Sequence, residues 1–124
     1  MAESCCCNAS SKLVFACSGA ADVGEVTDRA ARQLAREGAG KMACLAGIGG
    51  SIPSILEQAG LASAILAIDG CPTACASASL KLAGFRNFKS VQLADLGLNK
   101  GTSPASAETM ERVVSAAREQ LRSA

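Results

Sequence analysis

The sequence predicts a single α/β domain, folded as a three-layer sandwich around a mainly parallel four-stranded sheet. Short β-branched segments alternate with longer amphipathic segments, which is the pattern of strands and helices in repeated βα units. The chain has 124 residues, of which 49% are hydrophobic and 19% charged, as is typical of a globular chain of one-domain size. We therefore expect Rossmann-like or flavodoxin-like βα repeats over residues 12–124.

The first two βα units are predicted within residues 13–60. A strand is expected at residues 13–16, and a helix at 22–37 because apolar residues recur there at helical spacing, namely Val23, Val26, Ala30 and Leu34. After two glycines, a second strand is expected at residues 41–45. Ser51 is the predicted N-cap of a short helix that ends at Gly60.

The next βα unit starts with a strand at residues 64–68. Asp69 and Gly70 interrupt it, and Pro72 suits the first position of the following helix, since proline lacks the N–H that this position leaves unpaired. That helix is expected to end near Gly84.

The last unit has a strand at residues 90–93, a loop at 95–103 and a closing helix. Ser103 is the predicted N-cap and Pro104 the first helical residue. The apolar face of the helix consists of Met110, Val113, Val114, Ala117 and Leu121.

Residues 1–11 are polar and cysteine-rich, and we expect them to be a flexible tail outside the domain. The tail contains no hydrophobic targeting segment, and no apolar run in the chain approaches the roughly 18 residues that a transmembrane helix needs. We therefore expect a soluble, cytoplasmic protein that does not associate with membranes.

The composition argues against nucleic acid as a ligand. Aromatic residues make up 2% of the chain, with no Trp or Tyr, so base stacking has few side chains to use. The net charge is +1, and no basic stripe is present.

The chain has seven cysteines and no histidine. A cytoplasmic protein keeps its thiols reduced, so metal binding or thiol chemistry is a better interpretation of these cysteines than disulfides. The absence of histidine excludes imidazole ligands and histidine-based catalytic triads.

Three cysteines follow the first three predicted strands at equal separations. Cys17, Cys44 and Cys71 are 27 residues apart, which is one βα unit each time. Because right-handed crossovers return parallel strands in one direction, the three thiols should emerge at the carboxyl edge of the sheet, where α/β folds bind ligands. Cys75, four residues after Cys71, should project from the same face of the helix start.

These four thiolates predict one zinc ion. Strands two apart are roughly 10 Å from each other, and a cysteine Cα stands roughly 4 to 5 Å from a bound zinc, so the outermost thiols can meet at one ion. Iron, an iron–sulfur cluster or copper(I) would accept the same soft ligands. Four protein ligands leave no open position for water, so we expect a binding protein rather than a hydrolase.

The motifs resemble those of the DGC-domain family of zinc-binding proteins. The matching segments are Cys17-Ser18-Gly19 followed by Asp22-Val23-Gly24, then residues 44–50 (CLAGIGG), then Asp69-Gly70-Cys71-Pro72 with Cys75. The resemblance covers residues 13–96. It implies a small protein of the same α/β fold whose zinc ligands are Cys17, Cys44, Cys71 and Cys75, and it implies no particular reaction.

Other interpretations of the same residues stay open. Cys71 at a helix start could be a reactive thiol that exchanges with Cys75 or Cys17 in redox or sulfur-transfer chemistry. Cys44 alone could be a small buried apolar residue. The tail thiols Cys5, Cys6 and Cys7 could be solvated or could assist metal binding.

An anion-binding or interaction module is the third alternative. It would use Gly49, Gly50 and Ser51, which follow a strand but lack the lysine and the spacing of known phosphate loops. Ser18 and Asp69, next to the cysteines, are predicted to support the ligands or to contact such an anion. The sequence predicts no particular protein partner.

Overall fold

The computed structural model describes residues 11–124, which form four strands and five helices. The strands are β1 (Lys12–Ala16), β2 (Lys41–Met42), β3 (Ala64–Asp69) and β4 (Lys89–Gln92). The helices are α1 (Asp22–Glu37), α2 (Leu45–Gly49), α3 (Pro53–Leu61), α4 (Cys75–Leu82) and α5 (Ala107–Arg122). A 3-10 turn, Leu93–Leu96, follows β4.

All four strands are parallel and lie in the order β2-β1-β3-β4. In the centre of the sheet, Val14 of β1 is opposite Met42 on one side and Leu66 on the other. The predicted parallel α/β domain is therefore confirmed. Because the strands share one direction, their carboxyl ends form a single edge of the sheet.

Alternating side chains of β1 and β3 are buried on both faces of the sheet. Val14, Ala16, Leu66 and Ile68 pack with helices α1 and α5. Leu13, Phe15, Ile65 and Ala67 form the second core, with residues of α2, α3 and α4. The three predicted layers are thus a helix pair, the sheet and a layer of three shorter helices. Strands buried on both faces are the usual central strands of a parallel sheet.

The second βα unit differs from the sequence prediction. β2 ends at Met42 instead of residue 45, because Cys44 is the N-cap of an additional helix, α2, in a segment for which no helix was predicted. Ser51 is not an N-cap. It has a φ of 57° in the turn after α2, and α3 starts at Pro53, which suits a first helical position.

The two other predicted helix starts lie too early in the chain. Pro72 occupies a turn in which the Ala74 N–H donates to the Cys71 carbonyl, and proline favours the second position of such turns. α4 starts only at Cys75. The last helix starts at Ala107 because the Ser106 hydroxyl, rather than Ser103, accepts the Thr109 N–H at 3.2 Å.

No helix within residues 11–124 is both long enough and apolar enough to cross a lipid bilayer.

Asp22 joins the start of α1 to the loop before α5. Its carboxylate accepts the N–H groups of Val23 and Gly101, each at 2.8 Å, and that of Ser103 at 2.9 Å. The backbone donors, Gly101 first, lower the pKa of the Asp22 carboxyl below its ordinary value. The carboxylate therefore holds the loop at the carboxyl edge of the sheet as long as it is ionised.

We expect Asp22→Asn to destabilise the protein near neutral pH and to do so less in acid. Because the pKa of Asp22 is lower in the folded state, its contribution is complete above the unfolded pKa of about 3.9 and is lost as the pH falls through the folded pKa. Thermal unfolding of both proteins between about pH 7 and pH 2.5 measures this. Asp95→Asn, at an exposed carboxylate, is the control. A difference that persists unchanged at the lowest pH would contradict the assignment.

Candidate thiol site at the carboxyl edge

The predicted cysteines lie at the carboxyl edge of the sheet. Cys17 directly follows β1, and Cys44 follows β2 after one residue. Cys71 comes two residues after β3, and Cys75 is the first residue of α4. Cys17 and Cys71 are partly buried, whereas Cys44 and Cys75 are exposed. All four are free thiols.

Cys17 and Cys44 line the same open cleft, which has a volume of about 930 Å³. The cleft lies where α1, the end of β2 and α2 meet, beside the edge strand of the sheet. Its other lining residues are Ala16, Ser18, Asp28, Arg32, Ala35, Arg36, Met42, Ala43, Leu45, Ala46, Gly49 and Ser79. Two strand ends that are adjacent in the sheet thus present their thiols to one space.

A buried threonine on α1 holds Cys17. The Thr27 hydroxyl donates to the Gly24 carbonyl at 2.8 Å and accepts the Ser18 N–H at 3.1 Å. Cys17 Sγ lies 3.3 Å from the same oxygen. Because the hydroxyl hydrogen is used by Gly24, the thiol is the donor to Thr27 in this arrangement. Thr27 therefore fixes both the thiol and the backbone that follows it.

The loop after Cys17 packs tightly onto the first turn of α1. A Cβ on Gly24 would lie 2.2 Å from the Gly19 carbonyl oxygen, so only glycine fits there. Ser18 has a φ of 50°, and its hydroxyl donates to Asp28 at 2.8 Å. The predicted supporting role of Ser18 thus takes the form of a bond to Asp28, a residue that lines the cleft.

Cys71 lies away from that cleft. It packs against the core on the α1 and α5 side, whereas Cys17 packs against the core on the opposite face of the sheet. A smaller cavity of about 180 Å³ adjoins it, and Thr73 and Lys100 are among the lining residues. The Thr73 side chain, followed by its backbone N–H, lowers the pKa of the Cys71 thiol, and the Lys100 charge acts in the same direction.

Cys75 lies one helical turn before Ser79, which lines the larger cleft. Residues four apart share a helix face, so the exposed Cys75 is placed on the side of α4 that borders this cleft. The larger cleft therefore has Cys17 and Cys44 in its wall and Cys75 on the adjoining side of α4, whereas Cys71, in the turn at residues 71–74, packs on the other face of the sheet.

Asp69 organises the start of α4. Its buried carboxylate accepts the Ala76 N–H at 2.7 Å, the Ser77 N–H at 3.1 Å and the Ser77 hydroxyl at 2.8 Å. The N-terminal amides of a helix need such acceptors, and Ala74, in the N-cap position with a φ of 54°, cannot provide one. Asp69 thus supports the segment that carries Cys71 and Cys75.

Gly70 lets the end of β3 approach α1. A Cβ at this position would lie 3.0 Å from Val23 Cβ, closer than ordinary packing allows. The segment Asp69-Gly70-Cys71 therefore combines a helix cap, a close contact and a thiol.

The glycine-rich segment of the predicted anion site forms the end of α2 and the turn after it. Gly49 ends α2 and lines the cleft, Gly50 is the C-cap, and Ser51 lies in the turn that follows. α2 has only five residues. Its amides are used within the turn, since Gly50 N–H donates to Ala46 and Ser51 N–H to Ile48.

Within residues 11–124, no three Cys, Asp or Glu side chains are already grouped as metal ligands. The donor chemistry of the edge cysteines suits zinc, but the arrangement of their side chains places only Cys17 and Cys44 in a common wall. Cys5, Cys6 and Cys7 lie outside the described residues.

Three charged residues of the cleft wall were missed by the sequence analysis. Asp28, Arg32 and Arg36 recur every four residues on α1 and face the cleft. Arg32 Nε donates to Asp28 at 2.7 Å, and this bond, more than the one from Ser18, lowers the pKa of the Asp28 carboxyl. The spacing of four was visible in the sequence, but it resembles an ordinary solvated helix face.

A family model described as DGC domain matches residues 13–117 of the chain. A curated protein of Pseudomonas aeruginosa, the anaerobic and virulence modulator AnvM, is 40% identical over 68 residues, which are 55% of this chain and 52% of the relative. The chain thus matches about half the length of that relative. No solved structure matches the chain.

We expect Asp69→Ala to destabilise the protein by about 1–3 kcal/mol, because the buried Ala76 N–H and the partly buried Ser77 N–H lose their acceptor. Urea unfolding measures the loss, and hydrogen exchange should locate it in α4 while the protection of α5 is kept. Asp28→Ala is the control, since it removes only the bonds to the exposed side chains of Arg32 and Ser18, and a surface ion pair is worth up to about 1 kcal/mol. Equal losses in the two variants would contradict the capping role.

Proposed function

This chain belongs to the DGC domain family, and we propose that it is a small regulatory protein that binds zinc through the cysteine thiolates at the carboxyl edge of its sheet. One observation carries this proposal: Cys17 and Cys44, far apart in sequence, line a single cleft. The name of the AnvM relative, a modulator, supports a regulatory role for the region that the two chains share.

In the proposed site, Cys17 and Cys44 bind first, and Cys75 and Cys71 complete the set. Cys75 already borders the cleft, so the larger change is required of the turn at residues 71–74. That turn contains Ala74 in a left-handed conformation, which costs a non-glycine residue on the order of 1 kcal/mol. Zinc binding that relieves this conformation would couple the metal to a change of surface shape. A bound zinc would supply the link between the strand ends.

The reducing cytosol, which we propose as the location of the protein, keeps such thiols available for metal. Iron or copper(I) would compete for the same soft ligands, so metal specificity depends on availability.

We expect the full chain to bind one zinc ion. Each single substitution of a ligand should weaken the zinc affinity by at least tenfold, since it removes a thiolate. The variants are Cys17→Ser, Cys44→Ser, Cys71→Ser and Cys75→Ser. Competition with a chromophoric chelator measures affinity, and native mass spectrometry measures stoichiometry. Ser79→Ala, which alters the cleft without removing a thiol, is the control. Unchanged affinity in Cys17→Ser or Cys44→Ser would contradict the site, and unchanged affinity in both other variants would contradict the four-ligand set.

A second candidate function is thiol exchange at Cys71. The specific observation that favours it is the lowered pKa of this thiol, caused by Thr73 and assisted by Lys100 beside a separate cavity. The Cys71 thiolate would attack a disulfide substrate and release one thiolate. Attack by Cys75 on the mixed disulfide would then release the second, leaving a Cys71–Cys75 disulfide and two reduced substrate thiols.

We expect the alkylation rate of Cys71 by iodoacetamide to reach half its maximum at a lower pH than that of an unperturbed cysteine, about 8.5. Thr73→Val removes the hydroxyl hydrogen bond and should shift this midpoint upward, whereas Thr102→Val, at an exposed threonine, should not. Peptide mass spectrometry follows each cysteine separately. An unperturbed midpoint for Cys71 would remove the support for thiol exchange.

A further inference from the structure

The larger cleft contains a cationic side chain that forms no salt bridge with any carboxylate of residues 11–124. Arg32 and Arg36 both line it, and Arg32 is paired with Asp28 at 2.7 Å. Arg36 makes no hydrogen bond or ion pair with any side chain of residues 11–124. Its neighbour Glu37 is hydrogen-bonded to Gln33 and paired with Arg118 of α5 at 2.9 Å, and Arg36 acts on it only as a nearby charge. Because the Asp28 carboxylate of the wall is already paired with Arg32, the Arg36 guanidinium is available to bind an external anion.

The wall near Arg36 is largely apolar. Ala35, Met42, Ala43, Leu45 and Ala46 contribute to it. Asp28 and Arg36 are eight residues apart on α1, which corresponds to about 12 Å along the helix axis. Because Ser18 and Cys17 lie beside Asp28, the Cys17 thiol and the Arg36 guanidinium are far enough apart along the cleft for the extended chain of a short organic acid to fit between them.

We propose that this cleft binds a small monocarboxylate, with the carboxylate on Arg36 and an apolar body along Ala35, Met42 and Ala43 towards the thiols. The charges of the wall favour a ligand with a single negative charge. Arg32 and Arg36 carry two positive charges and Asp28 one negative charge, so the wall has one excess positive charge. A dianion such as phosphate would meet the Asp28 carboxylate without using the apolar wall. Small-molecule ligands usually bury most of their surface against apolar side chains, and a few polar groups fix their orientation. A monocarboxylate with an apolar body fits this pattern.

The experiment is an amide NMR titration of the full chain with hexanoate, in metal-free buffer with a reductant. We expect saturable shifts at Ala35, Arg36 and Ala43, and weaker binding of acetate, which lacks the apolar body, and of 1-hexanol, which lacks the charge. Arg36→Gln should weaken hexanoate about fivefold, in line with an exposed charge pair. Arg29→Gln is the matched control, because it removes the same charge from α1 at a residue paired with Glu25 outside the cleft.

Arg36 is exposed, so the variant keeps the core intact, and its spectrum checks the fold directly. Absence of saturable hexanoate shifts in the cleft would overturn the proposal. Equal weakening in Arg36→Gln and Arg29→Gln, or phosphate binding as tight as hexanoate, would do the same. Because no metal is present, this result is independent of zinc binding, and either proposal can fail without the other.

Discussion

The whole site depends on the parallel direction of the four strands. β1 and β3 are buried on both faces and paired along their length, so their carboxyl ends cannot separate without loss of the core. β2 adds Cys44 beside Cys17, and the contacts at Gly24 and Gly70 bring the loops that follow β1 and β3 close to α1. The backbone thus delivers three cysteines to one edge before any ligand is bound.

The sequence was sufficient to predict the sheet, its three layers and the edge on which the cysteines lie. Equal spacing of Cys17, Cys44 and Cys71 implied one βα unit between successive thiols, and the structure has that organisation. The spacing did not determine which face of the sheet each thiol would approach. Cys17 follows the alternation of Leu13 and Phe15, whereas the turn at Gly70 redirects the chain, so Cys71 packs on the other side.

Other features of the structure could not be predicted from the sequence, for identifiable physical reasons. Asp69 caps α4 from the preceding strand, across a turn, where no local capping pattern marks it. α2 has five residues and no polar N-cap side chain, so it could not be distinguished from a loop. Asp28, Arg32 and Arg36 line a cleft because β2 is short and leaves space beside α1. Local sequence therefore predicted the elements, and long-range packing determined the site.

The central claim is that Cys17 and Cys44 face one cleft. The most direct test uses a variant in which these two cysteines are kept and the others are changed to serine. This variant is treated with a short bifunctional maleimide. The account predicts that one reagent molecule bridges the two thiols within a single chain, as peptide mass spectrometry would identify. Two reagent molecules per chain, one on each thiol and none bridging, would contradict it.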